Sequence, residues 1–207
     1  EQTYYAPAVG YNEDTVRRLQ EFGDVEFDKS LSALLPPLNP LFGLQQIVLP
    51  SKREPLDAQK TGNALLLNNP QYALFWQMGT GKSKPIVDVT THLIKEGCIK
   101  RVLIVTEVNV IPTWIYQHIP KDCIEDYKAC ALVGPKRDRE LRFRQALLNG
   151  TKYFIINYDG VKTMEDQLME HMDSDWALVL DESQKTKDSK TSRFRTLNKI
   201  VNECGIF

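Results

Sequence analysis

The sequence predicts an α/β fold, with a mainly parallel β-sheet and helices on both of its faces. Two observations carry this. From Ser51 onward, short apolar runs alternate with helix-length segments. The first run also enters a glycine-rich turn, and the last closes on a pair of carboxylates.

Residues 1–49 precede that pattern and form an N-terminal extension without a repeat or chemical motif. It holds a short helix candidate, Glu13 to Phe22, and a proline-rich connection, Pro36-Pro37-Leu38-Asn39-Pro40. Residues 50–207 form the regular domain. Its strand candidates are Tyr72–Phe75, Val102–Thr106, Ala129–Val133, Tyr153–Ile156 and Ala177–Leu180. They are short and rich in Val, Ile, Leu and aromatics, as strands buried on both faces are. The helix candidates are Ser83–Lys95, Pro112–Ile119, Lys136–Leu148, Val161–Met172 and Ser192–Val201. Pro112 suits a first helical turn, where no N–H is needed. Asn149-Gly150 is a plausible stop for the third of these helices.

Composition sets mild limits. The 207 residues suffice for one substantial core plus an extra segment. Twenty-six basic residues face 27 acidic ones, so no global field favours a nucleic-acid partner, and any such contact must be local. Cys98, Cys123, Cys130 and Cys204 lack a C-x-x-C spacing, which argues for reduced thiols over a zinc ribbon. No apolar run approaches the ~20 residues that span a bilayer, and the opening residues lack a signal-peptide pattern. The expectation is an intracellular protein without a membrane partner, in the cytoplasm of a bacterium or phage-infected cell or in a nucleus. Glu1 in place of a starting Met and the apolar Ile206-Phe207 at the end read as the cut ends of a fragment.

Met78-Gly79-Thr80-Gly81-Lys82-Ser83 is the richest stretch. Glycine lets the backbone turn tightly and point successive N–H groups inward. The helix that follows brings the positive end of its dipole to the same place. Lys82 adds a full charge, and Ser83 offers an oxygen to Mg²⁺. These residues predict a site for a nucleoside triphosphate. The position six before Lys82, glycine in the full phosphate-loop pattern, is Trp76 here.

The second motif is Leu178-Val179-Leu180-Asp181-Glu182-Ser183-Gln184. Two carboxylates follow an apolar strand, at the sheet edge where parallel α/β folds bind ligands. Asp181 can hold Mg²⁺, usually through water, and Glu182 can orient or deprotonate an attacking water. An acidic helix cap is the bland alternative.

Together the two motifs resemble motifs I and II of the superfamily 2 helicases, and within them the Snf2-type ATPases that move along duplex DNA. Met78 stands where those proteins carry a methionine before the loop. Val102–Thr106 followed by Trp114 is similar to their next strand and tryptophan, and Phe154–Asn157 followed by Tyr158 to a later strand and tyrosine. Asp181-Glu182-Ser183-Gln184-Lys185-Thr186-Lys187-Asp188 is similar to their extended motif II. The likeness covers roughly residues 55–207. It implies a RecA-like lobe that binds ATP and Mg²⁺, with duplex DNA as partner. It departs from the family in three ways. Gln184 replaces a common histidine, and Phe75-Trp76 replace small residues. Motif III and the second RecA-like lobe with its arginine finger do not occur before Phe207.

The resemblance also implies that Gln59 reads adenine, with Gln45 and Gln46 as competitors. Gln184 would lie beside the γ-phosphate. Two basic stretches could meet DNA phosphates. One is Lys136–Arg144, where Asp138 and Glu140 favour a solvated helix face instead. The other includes Lys185, Lys187, Lys190, Arg193 and Arg195, next to motif II. Trp114 reads mainly as core packing, with base stacking as the alternative. His92, His118 and His171 lack metal-ligand spacing and read as structural or surface residues. The rival functions are a nucleotide-binding or interaction module without motor activity, and the motor of an RNA helicase or a restriction system.

Overall fold

Four of the apolar runs pair as parallel strands in the computed structural model, which describes residues 48–69, 71–74, 76, 79–181 and 192–204. They are β1 (Arg101–Thr106), β2 (Ala129–Leu132), β3 (Tyr153–Asn157) and β4 (Trp176–Leu180), in the spatial order β2-β3-β1-β4. Leu103 pairs with Phe154 on one side and Leu178 on the other, which puts β1 inside the sheet.

Side-chain alternation divides the core into two layers. Leu103, Val105, Phe154, Ile156, Trp176 and Leu178 enter one cluster. Val102, Ile104, Tyr153, Ile155 and Ala177 enter the other. Both layers are apolar because helices cover both faces, so the strands read as continuous hydrophobic runs. The first layer takes Phe143 from α5 (Lys136–Leu148), Val161 from α6 (Tyr158–Thr163), Leu168 from α7 (Glu165–His171) and Leu197 from α8 (Ser192–Glu203). The second takes Val87 and Ile94 from α2 (Ser83–Lys95), Ile111 from α3 (Ile111–Thr113) and Ile119 from α4 (Ile119–Asp122).

The bounds of α2 and α5 match the sequence expectation, and Asn149-Gly150 ends α5 with Gly150 at φ 69°. The region expected as one helix over Pro112–Ile119 runs longer and changes pitch. A π-helical turn, Trp114–His118, separates α3 from α4, and the Ile119 N–H reaches back five residues to the Trp114 carbonyl. Pro120 follows at once and has no N–H for the bond an α-helix would take from it. The expected helix Val161–Met172 starts earlier, at Tyr158, and breaks at the fully buried Met164.

One strand expectation changes as well, and one helix is added. Tyr72, Ala73 and Leu74 lie in no strand, and Phe75 is outside the described residues. Ala73 is exposed, whereas a strand within a covered parallel sheet would be shielded on both faces. A helix not expected from the sequence, α1 (Asp57–Asn68), packs against α2. The helix candidate Glu13 to Phe22 lies outside the described residues. No helix among the described residues is long and apolar enough to cross a membrane.

Candidate nucleotide-binding site

The glycine loop has the backbone its sequence requires. Gly79 and Gly81 adopt φ 82° and φ 74°, in the left-handed region that a side chain disfavours. The chain then turns helical at Lys82 and enters α2 at Ser83. Lys82 Nζ donates to the Trp76 carbonyl at 2.9 Å, so the ammonium closes the loop on itself. Trp76 has a packing role in place of the glycine expected there. A Cβ on Gly62 of α1 would meet its ring at 2.6 Å and Pro85 of α2 at 3.2 Å, so the indole is wedged beside both helices.

Gln59 sits in the first turn of α1 and touches this loop. Its Oε1 accepts the Leu56 N–H at 3.0 Å, satisfying a donor at the helix start. Its Nε2 donates to the Gly81 carbonyl at 3.3 Å. The residue is 6% exposed, and both ends of its amide are engaged. In this arrangement it braces the loop; contact with a base requires it to release Gly81.

Asp181 lies one residue past β4 and continues the sheet ladder, its N–H bonded to the Val105 carbonyl at 2.9 Å. Asp181 Oδ2 accepts both the Thr106 hydroxyl and the Trp114 indole N–H, each at 2.9 Å. Tyr158 donates its hydroxyl to the Asp181 carbonyl at 2.7 Å. The end of β1 and the π turn thus fix the Asp181 carboxylate, and the start of α6 holds its backbone.

The same π turn reaches the glycine loop. His118 Nδ1 lies 3.2 Å from Ser83 Oγ, and its ring meets Trp114 edge-on with centroids 5.0 Å apart. Burial holds the His118 ring below the usual histidine range, against the opposing pull of Asp181 and Asp122. Ser83 and Asp181 are therefore joined through two packed rings. A hydroxyl and a carboxylate are hard oxygen donors, the type Mg²⁺ selects. The left-handed glycines and the lysine beside them fit a phosphate group. The residues present fit a magnesium–nucleotide complex.

Of the site residues expected from the sequence, Gln59, Gly79, Thr80, Gly81, Lys82, Ser83 and Asp181 belong to this constellation. Met78, Glu182, Gln184, Lys185, Lys187 and Lys190 lie outside the described residues, as does the side chain of Arg193. The first basic stretch makes local contacts: Lys136 pairs with Glu140 at 3.8 Å, and Arg144 bonds Gln167 in α7. Trp114 is buried in the core, as expected, and also serves Asp181. Sequence reasoning missed the roles of His118 and Thr106. The available signal for His118 was its i,i+4 spacing from Trp114, which puts the two rings on one helical face.

No family model matches the chain, and no curated protein matches it.

Proposed function

We propose that this chain is the ATP-binding lobe of a DNA-dependent ATPase, a helicase-like translocase of the Snf2 type that needs a second RecA-like lobe for efficient hydrolysis. One observation supports the nucleotide part above the others. The glycine loop at the start of α2 and Asp181 at the carboxyl end of β4 are bound to the same π turn, through His118 and Trp114. Two distant stretches of sequence, both with the residue types of a magnesium–triphosphate site, are thereby physically coupled. The motor and duplex-DNA parts rest on the order of Met78, Trp114, Tyr158 and the motif around Asp181.

In this reading the loop from Gly79 to Lys82 holds the β- and γ-phosphates. Lys82 exchanges the Trp76 carbonyl for phosphate oxygen. Ser83 and Asp181 hold Mg²⁺, which when bound neutralises charge on the phosphates. Glu182 orients the attacking water and takes its proton. Gln59 and Gln184 adjust the adenine and γ-phosphate ends. Lys185, Lys187, Lys190 and Arg193 meet the DNA backbone. An arginine from a second lobe is worth ~10³–10⁵ in rate in related phosphoryl-transfer enzymes.

The 207-residue chain is expected to bind ATP and hydrolyse it very slowly. Isothermal titration with Lys82→Ala tests the site: affinity should fall sharply, and unchanged affinity overturns the assignment. Brisk DNA-stimulated turnover by the chain alone would contradict the need for a second lobe. Comparing stimulation by duplex DNA, single strands and RNA in a two-lobed protein carrying this chain decides among motor classes.

A further inference from the structure

Ser83 is the first residue of α2, and its hydroxyl faces a histidine from another element. Ser83 Oγ and His118 Nδ1 are 3.2 Å apart. The His118 ring packs edge-on against Trp114 at an interplanar angle of 73°. Trp114 is itself buried, with its indole N–H on Asp181 Oδ2. We propose that His118 is a positioning residue for the Ser83 hydroxyl, fixing its rotor so that oxygen lone pairs face the cation. The proposal rests on the nucleotide-binding reading above.

A serine hydroxyl has one proton and two lone pairs. Magnesium demands near-ideal ligand geometry and dehydrates reluctantly, so a freely rotating ligand is a poor one. A bare Nδ1 accepts a hydrogen bond from the Ser83 hydroxyl and leaves both oxygen lone pairs directed away from the ring. This requires the imidazole tautomer with its proton on Nε2. A proton on Nδ1 would instead donate to Ser83 Oγ and consume a lone pair that the cation needs. The Trp114 contact makes this arrangement more than a chance pair. The turn that aims His118 at one magnesium ligand also bonds the other, so the two ligands share one support. Outer partners of this kind orient the ligand they bond, and their removal costs metal affinity.

The test measures ADP affinity with and without Mg²⁺ for the wild-type chain, His118→Phe and His118→Asn. Phenylalanine keeps a ring and removes the acceptor. Asparagine places an amide oxygen close to the Nδ1 position. The magnesium-dependent gain in affinity is expected to shrink about fivefold in His118→Phe, roughly one hydrogen bond's worth, and to recover partly in His118→Asn. Magnesium-free ADP affinity should stay the same in all three. An unchanged magnesium gain in His118→Phe, or an equal loss without magnesium, overturns the proposal while leaving the nucleotide reading intact. Failure of the wild-type chain to bind ADP overturns both. Should His118→Phe not fold, nitrogen NMR of the wild type and Ser83→Ala gives the answer. The Nδ1 resonance should be that of a bare nitrogen and should move on loss of the hydroxyl. A protonated Nδ1, or a resonance that does not move, overturns the proposal.

Discussion

Trp114 donates its indole N–H to Asp181 Oδ2 over 2.9 Å, although 67 residues separate them in sequence. A ring buried in the core thereby holds the carboxylate beyond β4. Trp114→Phe keeps an aromatic ring in the core but removes this donor and part of the buried indole. Hydrogen bonds to charged groups contribute about 1.5–3 kcal/mol, and Thr106 remains as a second donor, so a loss of about 1–2 kcal/mol is expected from the missing bond alone. Urea denaturation of the two proteins measures it. The same substitution should weaken magnesium-dependent nucleotide binding. Equal stability and equal magnesium dependence would show that the indole N–H does not support Asp181.

The two loop glycines should differ in their response to alanine. Both adopt left-handed backbone, which costs a side chain roughly 1–2 kcal/mol. A Cβ on Gly79 meets nothing within 4 Å, whereas one on Gly81 meets Gln59 Nε2 at 2.6 Å. Gly81→Ala therefore adds a clash with the brace of the loop. It should lose more nucleotide affinity than Gly79→Ala, and Gln59→Ala in the Gly81→Ala background should restore part of it. Identical effects of the two alanines, with no rescue, would mean that Gln59 does not brace the loop.

Most of the domain's fold was legible because a parallel sheet covered on both faces writes continuous apolar runs into the sequence. Residues such as Leu103 and Ile104 face opposite layers, yet both must be apolar. The loop and Asp181 stood out in the sequence because their residue types and order are those that a phosphate and magnesium site would need. The π turn was not, since a pitch change at Trp114–His118 leaves no periodic mark within five residues. The helix α1 was obscured by its weak pattern: Gln59, Gly62 and Asn63 are its buried residues alongside Ala64. The role of His118 depends on a contact with Ser83 across 35 residues, which spacing alone does not report.

Glu165 ties α7 to α8. Its Oε1 lies 2.5 Å from Lys199 Nζ, and its Oε2 accepts the Thr196 hydroxyl at 2.6 Å. These partners, Lys199 first, hold its carboxyl below the usual range. A depressed carboxyl favours the fold as the anion. Its contribution is present above the unfolded value of ~4.3 and fades as pH falls through the folded one. Glu165→Gln should therefore be less stable than wild type at neutral pH, by a margin that shrinks on acidification below ~4.3. Chemical denaturation at both pH values checks this. A margin that stays constant would assign the effect to packing.

Lys84 and Asp88 form an ion pair within α2 at 2.8 Å, with side chains only 2% and 0% exposed. The lysine sits in the first helical turn, where the macrodipole disfavours a cation, so the pair is held by mutual compensation. Burial raises the Asp88 carboxyl above its ordinary value despite the Lys84 ammonium beside it. Removing one partner strands a buried charge, which typically costs about 3–5 kcal/mol. Lys84→Met and Asp88→Leu should each destabilise by about this much, and the double substitution should cost less than either. The pH response of Lys84→Met follows from the sign of the Asp88 shift. An acid whose folded value is raised binds its proton more tightly in the fold, so stability drops as pH rises through that value. Lys84→Met should therefore regain stability on acidification from its folded Asp88 value toward ~3.9, beyond any change in the double variant. Urea melts of all four proteins across that range decide the matter. Additive losses with no acid recovery would mean that the two charges are not coupled.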